Sequence, residues 1–170
     1  MRFVKLFFIS LFVLFLALLA ISSLIPAHLR LSRAIDIRTS PNLVFNSIND
    51  LHNWKKWNQF IIGTPLTHLV ISDQGAGPGA MLRSDQLQIL IQRSSPDSIR
   101  TLWTQSRGKH FSGGYNLMEL KPGIVTVQSY FDFTFAWYPW EKLSSLLYES
   151  EIGTLMEQSL SKLKEITEIK

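Results

Sequence analysis

The sequence of 170 residues contains no cysteine. This absence excludes disulfide bonds, thiolate metal sites, thiol nucleophiles and lipidation of a cysteine. Charged residues are also scarce, at 18% of the chain, and the net charge is only +4. The one tight basic cluster outside the N-terminal region, formed by Arg107, Lys109 and His110, is better explained as a solvated loop than as a nucleic-acid site. We therefore expect no nucleic acid among the partners.

Residues with catalytic or metal-binding chemistry are few and scattered. The histidines stand at His28, His52, His68 and His110, and no spacing among them indicates a metal site or a nucleophile with its base. The glycines of Gly75-Ala-Gly-Pro-Gly79 indicate a turn, because no helix with a phosphate-binding lysine follows them. We expect no catalytic residue, no metal and no cofactor.

The N-terminal region, in contrast, is almost entirely apolar. From Leu6 to Ile25 there is no charged residue, and about 20 residues make a helix of about 30 Å, which is the thickness of a bilayer core. The sequence therefore predicts a transmembrane anchor over residues 1–26. A cleaved signal peptide is the alternative, since Arg2 and Lys5 resemble its positive n-region and Ala20-Ile21-Ser22 offers small residues for a cut.

Basic residues stand on both sides of this span, at Arg2 and Lys5 before it and at Arg30, Arg33 and Arg38 after it. The positive-inside rule therefore does not decide which side of the membrane holds the rest of the chain. Residues 27–33 are predicted to be a short basic linker at the level of the lipid headgroups. A single domain should follow over residues 34–170, because 170 residues hold one well-packed core.

The domain opens with signals for one strand and two short helices. Arg33 to Arg38 alternates apolar and polar residues, as in a half-buried strand. Ser40 before Pro41 is typical of a helix start. Leu51 to Trp57 predicts a second, shorter helix with two tryptophans on one side.

These residues resemble a known family. The runs Ile35-Asp-Ile-Arg-Thr-Ser-Pro-Asn-Leu-Val-Phe45, Ile48-Asn-Asp50 and Trp54-Lys-Lys-Trp57 look like the opening of the SRPBCC, or START-like, superfamily in its polyketide cyclase/dehydrase-like branch. The C-terminal runs Trp137-Tyr-Pro-Trp140-Glu-Lys142 and Leu160-Ser-Lys-Leu-Lys164 are similar too. The resemblance implies an α+β helix-grip fold, in which a curved antiparallel sheet surrounds a long C-terminal helix and encloses an apolar cavity. A membrane segment precedes such a domain in this branch, so we expect a single-pass protein of a bacterial cell membrane.

The rest of the chain agrees with this fold when its patterns are considered alone. Strand signals recur between Leu66 and Trp137, and from Val125 to Trp137 apolar and polar residues alternate almost without a break. A last helix is predicted from Glu151 to Ile169. Its apolar stripe repeats every three or four residues, at Ile152, Leu155, Met156, Ser159, Leu160, Leu163 and Ile166.

We expect an apolar cavity between the sheet and this last helix. The candidates for its wall are large apolar residues on inward-facing positions, namely Trp54, Trp57, Trp103, Phe131, Phe133 and Met156. The function that follows is binding of a hydrophobic small molecule or lipid by a membrane-anchored protein. Two alternatives stay open, an enzyme of the polyketide cyclase or dehydratase kind and a non-catalytic protein-interaction or regulatory module that uses an exposed apolar patch.

Overall fold

The computed structural model describes residues 2–63, 66–106 and 108–168. Arg107 of the basic cluster and Ile169 at the end of the predicted last helix lie outside the described residues. Five helices and seven strands follow one another in the described part of the chain. In order they are α1 (Arg2–Leu24), β1 (His28–Arg38), α2 (Pro41–Asn49), α3 (Leu51–Trp57), α4 (Gln59–Ile62), β2 (Val70–Ile71), β3 (Met81–Arg83), β4 (Leu87–Ser95), β5 (Ser98–Gln105), β6 (His110–Lys121), β7 (Ile124–Thr134) and α5 (Pro139–Thr167).

The passage from α1 into the domain is shorter than the sequence suggested. Residues 27–33 were predicted to be a linker, but β1 begins at His28 and pairs with β7 along its whole length. Leu31 is buried in the core, while the Arg30 guanidinium makes two hydrogen bonds, of 2.6 and 2.7 Å, to the carboxylate of Asp132 on the neighbouring strand. The linker prediction is corrected, because these basic residues alternate with apolar ones as in any half-buried strand.

The strands form one sheet in the order β1-β7-β6-β5-β4-β3-β2, and each neighbouring pair is antiparallel. Gly113 in β6 makes room for a large ring on β7, since a Cβ at this position would collide with the ring of Phe131. The first of the strand signals predicted between Leu66 and Trp137 corresponds to the two residues of β2. The longest pairings, of β1 and β6 with β7, make that end of the sheet its most extensive part.

Short polar side chains end and restart the three small helices. The Asp50 side chain accepts a hydrogen bond from the backbone N of His52 and caps α3. The Asn58 side chain accepts one from the backbone N of Phe60 and caps α4. Capping by Asp and Asn satisfies backbone donors that have no partner within the helix. The chain therefore folds back twice within a few residues and delivers its tryptophans to the core.

The last helix is longer than predicted, because α5 begins at Pro139 and not at Glu151. Its first turns expose Trp140 and Leu147, so they do not continue the buried stripe that defined the prediction. Farther along, Gly153 allows close contact with β1, since a Cβ there would lie 2.8 Å from a guanidinium nitrogen of Arg33.

The main core lies between α5 and one face of the sheet. Alternate residues of β7 point into the core, as predicted. The strand ends at Thr134, however, and Trp137, which was expected on the inward face, is 68% exposed. Ile166 of the predicted stripe is also exposed, whereas Met156, Leu160 and Leu163 are buried. The architecture is an antiparallel sheet against a long C-terminal helix, preceded by one apolar helix.

Candidate ligand-binding cavity

A cavity of about 570 Å³ lies between the middle of α5 and the sheet. Its wall is aromatic and aliphatic at depth, and these residues are buried or half-buried. They come from α4, the loop before β2, strands β4 to β7, the residue that follows β7, and α5. The apolar wall consists of Phe60, Leu66, Leu87, Trp103, Phe111, Phe133, Phe135, Tyr148, Ile152 and Leu155.

The aromatic rings of the wall touch one another across the elements. Trp103 and Phe111 are register partners on β5 and β6, and their rings stack at 5.9 Å. Phe111 then contacts Phe133 of β7 at 4.8 Å, and Phe133 meets Tyr148 of α5 edge to face at 4.9 Å. Such offset and edge-to-face contacts stabilise aromatic clusters beyond the area they bury. The wall is therefore one continuous apolar surface from the sheet to the helix.

The rim of the cavity is polar and exposed. It consists of Gln86, Gln105, Ser106, Lys109, Thr134 and Glu151. Lys109 Nζ donates a hydrogen bond of 2.8 Å to Glu141 Oε1, and the backbone N of Ala136 donates one of 2.8 Å to Glu141 Oε2. These bonds, the one from Lys109 first, lower the pKa of Glu141, which is ionised at neutral pH. The pair joins the segment between β5 and β6 to the first turn of α5 at the cavity rim.

The six residues that the sequence assigned to the cavity wall are divided by the structure. Trp103 and Phe133 line the cavity. The other four, Trp54, Trp57, Phe131 and Met156, are buried at 0, 0, 2 and 1% exposure and are not among its lining residues. Their assignment to the wall is corrected to the packed core, while contact of Trp103 and Phe133 with a ligand stays a prediction.

The two tryptophans of α3 are fixed in the core by hydrogen bonds and ring contacts. Trp54 Nε1 donates to the backbone oxygen of Ile48 at 2.7 Å, and Trp57 Nε1 donates to that of Ser47 at 3.2 Å. Both rings also meet the ring of Tyr115 edge to face, at 5.9 and 5.7 Å. Burial raises the pKa of Tyr115, which is therefore neutral. These side chains fill the space that the sequence suggested would be open.

Several lining residues were absent from the predicted site. Phe135 lies on the alternation predicted from Val125 to Trp137, and Ile152 and Leu155 lie on the predicted stripe, so the pattern contained a signal for them. Phe111 and Tyr148 carried no such signal. Phe111 stands in a stretch interrupted by glycines, and Tyr148 precedes the predicted start of the helix.

The chemistry of the site favours binding of an apolar group. Its titratable lining residues are Lys109, Tyr148 and Glu151, and the ring of Tyr148 packs against Phe133 and Phe135. Within residues 2–63, 66–106 and 108–168, no group of three or more His, Asp or Glu side chains is arranged to hold a metal ion. The arrangement is suited to burying an apolar body at depth while a polar end stays at the rim.

Comparisons with known proteins place this geometry among known folds. No family model and no curated protein matches the sequence. Among solved structures, the chain is similar to a START superfamily protein from Mycobacterium smegmatis, with 15% identity over 81% of this chain and 96% of that one, at a TM-score of 0.56. The chain has the START-like fold. The predicted helix-grip architecture is thereby confirmed, with its long C-terminal helix and the apolar helix that precedes the domain.

Two further structures with this START-like fold belong to biosynthetic systems. DynU16, from the dynemicin biosynthetic locus, is 16% identical over 82% of this chain and 46% of its own, with a TM-score of 0.54. The di-domain ARO/CYC protein BexL, from the BE-7585A biosynthetic pathway, is 12% identical over 85% of this chain and 51% of its own, with a TM-score of 0.58. The chain therefore spans about half the length of these two proteins. At such identities the similarity establishes the fold and not the ligand or the activity.

Proposed function

We propose that this protein is a membrane-anchored binding protein for a hydrophobic small molecule or lipid. The ligand occupies the cavity between the sheet and the middle of α5, with its apolar part against Phe111, Phe133 and Tyr148. The observation that carries the proposal is the cavity itself, which has a volume of about 570 Å³ and is lined by a continuous group of aromatic side chains. Pockets for small molecules in proteins have volumes of about 300–1,000 Å³ and mainly apolar linings.

The polar groups of the cavity support binding rather than catalysis. Lys109 and Glu151 lie at the exposed rim, and Lys109 is already paired with Glu141. A general acid or base needs to lie within hydrogen-bond distance of the reacting atoms. Apart from the Tyr148 hydroxyl, the deep wall presents aromatic and aliphatic carbon, so a bound molecule would meet most of its polar partners at the entrance.

The attachment to a membrane rests on α1. Residues Phe3–Leu24 form a helix long and apolar enough to cross a bilayer, and most of its large apolar side chains are exposed. The residues of the candidate cleavage site, Ala20 to Ser22, are helical in the structure. Ser22 is buried, and its backbone oxygen accepts a hydrogen bond of 3.2 Å from Lys142 Nζ of α5. This contact supports a retained anchor rather than a segment that is removed.

The test is titration of the full-length protein, in detergent micelles, with a fluorescent fatty acid. We expect saturable binding, and we expect Ile152→Trp to weaken it by roughly tenfold or more. The added ring displaces at least two ligand methylenes, each worth about 0.8 kcal/mol, and 1.4 kcal/mol is a factor of ten. The matched control is Thr154→Trp, an exposed position on the same helix outside the cavity lining, and it should leave the affinity unchanged.

Two results would contradict the proposal. If the parent shows no saturable binding, or if both tryptophan variants bind like the parent, the cavity does not hold the ligand. Alkaline carbonate extraction tests the anchor separately, and we expect the full-length chain in the membrane pellet. A soluble, shortened chain that begins near Ser22 would show that α1 is a signal peptide.

A further inference from the structure

The start of α5 and the residues before it expose a group of large apolar side chains, which we name the interfacial patch. It consists of Trp137, Tyr138, Trp140, Leu146 and Leu147, exposed by 68, 39, 63, 65 and 61%. In the described part of the chain, the other exposed large apolar residues after α1 are single residues in α2, α4, β2 and the end of α5 and one pair in β6, Met118 and Leu120. Single exposed apolar residues are ordinary, whereas a contiguous group marks an interaction surface.

The three rings of the interfacial patch form one surface. Trp137 and Tyr138 have ring centroids 4.8 Å apart, and Tyr138 stacks on Trp140 at 5.0 Å with 11° between the planes. Leu147 follows Trp140 by about two helical turns and so lies on the same side of α5. That side is opposite to Met156, which faces the core. The patch is thus an ordered surface that the domain does not use for its own packing.

The start of α5, which carries most of the interfacial patch, lies beside the C-terminal end of α1. The last turns of α1 contact α5, where Lys142 Nζ donates to the backbone oxygen of Ser22, and α1 ends at Leu24. If α1 crosses a bilayer, this end lies at the boundary between acyl chains and headgroups. Tryptophan and tyrosine are the residues enriched at that boundary, because their rings are apolar and each carries one polar group.

We infer that the interfacial patch docks into the headgroup region of the same bilayer that α1 spans, so that α5 meets the lipid with the face opposite to its core. The inference rests on the proposed anchor and adds a second membrane contact to it. It also orients the cavity. The Lys109–Glu141 bond joins the cavity rim to the first turn of α5, so the entrance lies next to the docked surface and an apolar ligand passes between membrane and cavity with a short exposure to water.

The charges around the interfacial patch are of both signs. Glu141 is bonded to Lys109, Glu149 lies 3.7 Å from Arg33, and Lys142 donates to the backbone oxygen of Ser22. Docking should therefore depend on apolar area and not on attraction to anionic lipid, so high salt should leave it unchanged. A bilayer is also a partner that the anchor keeps continuously at this surface, in contrast to a soluble protein.

The positions of the tryptophans provide a direct experiment. The chain has five tryptophans, of which Trp54, Trp57 and Trp103 are buried and only Trp137 and Trp140 are exposed. The full-length protein is reconstituted into phosphatidylcholine vesicles whose acyl chains are brominated near the headgroup, and its fluorescence is compared with that in unbrominated vesicles. We expect bromine to quench up to about two fifths of the emission, at low and at high salt, if the five indoles emit equally.

Variants identify the source of the quenching. The double variant Trp137→Phe, Trp140→Phe keeps the apolar surface, but it should show almost no quenching by bromine. Leu147→Glu places a charge in the interfacial patch and should reduce quenching of the two native indoles by at least about half. Its matched control is Leu120→Glu at the end of β6, which is 73% exposed and outside the patch, and it should quench like the parent.

The outcomes separate this inference from the proposed function. No quenching in a parent that stays in the carbonate pellet and binds the fluorescent fatty acid would overturn the docking and leave the proposed function intact. If quenching is absent and the chains cross-link to one another through the patch, the surface binds a second copy of the chain. This result would overturn the inference too. Release of the chain by carbonate would contradict both the membrane anchor and the docking. Loss of fatty-acid binding alone would contradict only the proposed function.

Discussion

The space between α5 and the sheet is filled at one end and open at the other. At the filled end the small helices α2, α3 and α4 all contact α5, and Trp54 and Trp57 fill the interior there. At the open end only Phe60 of α4 reaches the wall, and a cavity of about 570 Å³ is left. The same sheet and the same helix therefore give a solid core or a cavity, depending on whether a third layer of side chains fills the gap.

The two ends also differ in the bonds that join α5 to the rest of the domain. At the filled end Ser159 Oγ accepts a hydrogen bond of 2.9 Å from the backbone N of Gln59 and is itself buried. At the open end, the corresponding contact between α5 and the rest of the domain is the exposed ion pair of Lys109 and Glu141. A buried bond between apolar layers persists, while an exposed ion pair contributes little to stability. The filled end should therefore provide the stability and the open end should be the part that moves.

The largest effect should come from the same substitution made at the two ends. Leu160 is 2% exposed in the core, so Leu160→Ala should lower the free energy of unfolding by about 2–5 kcal/mol. Leu155 is half-buried at the cavity wall, so Leu155→Ala should lower it by only about 1–2 kcal/mol, because part of its surface already lacks neighbours. Denaturant unfolding in detergent micelles measures both.

The control for this pair is Lys162→Ala on the exposed face of α5, which should change stability by less than about 0.5 kcal/mol. If Leu155→Ala costs as much as Leu160→Ala, the two ends are packed alike and the cavity closes in solution. The result bears directly on the proposed function, since a closed cavity holds no ligand.

The fold could be predicted from the sequence because its signals are periodic and local. The inward alternation of β7 and the stripe with Met156, Leu160 and Leu163 both appear in the structure as buried faces. The start of α5 was not predictable in this way, since Trp140 and Leu147 face outward and interrupt the stripe. Periodicity reports which residues share a face, and it does not report which partner covers that face.

The cavity was predicted less well than the fold for a related reason. An inward-facing aromatic residue either fills space or borders it, and the choice depends on residues far away in the sequence. Trp54 and Trp103 are both buried, yet only Trp103 lines the cavity, because α5 and the other small helices close around Trp54. The position of α4, whose Phe60 contacts Trp103 of β5 and Phe131 of β7, contributes to this difference. That position results from helix caps and a tertiary contact rather than from a pattern.

An intermediate effect is expected from adding bulk at the filled end. Ser159 is 3% exposed and its hydroxyl also donates to the backbone oxygen of Leu155 at 2.7 Å. Ser159→Phe should therefore overpack the core and cost about 1–3 kcal/mol of unfolding free energy. Affinity for the fluorescent fatty acid should change little, because Ser159 does not line the cavity. Ile152→Trp should show the opposite, with weak binding and nearly parental stability, and loss of both properties in each variant would mean that the two ends are one continuous space.

The smallest effect on stability should come from protonating Glu141, which forms the ion pair with Lys109 at the open end. Glutamate ordinarily has a pKa of about 4.3, and the bonds from Lys109 and the backbone of Ala136 lower that of Glu141. A lowered folded-state pKa means that the contribution to stability is complete above the ordinary value and is lost as the pH falls through the folded value. Glu141→Gln should therefore reduce stability by less than about 1 kcal/mol at neutral pH, and the difference from the parent should disappear in acid.

The comparison of the two proteins isolates this pair from other groups that titrate in the same range. The carboxylate of Asp85, whose pKa is lowered by hydrogen bonds from His68 and Thr67, is present in both and cancels. Lys109→Gln should remove the same small contribution, and the double variant should lose no more than either single one, since the two side chains act as one bond. Additive losses would show that Lys109 and Glu141 act separately and that the hydrogen bond between them does not connect the cavity rim to α5.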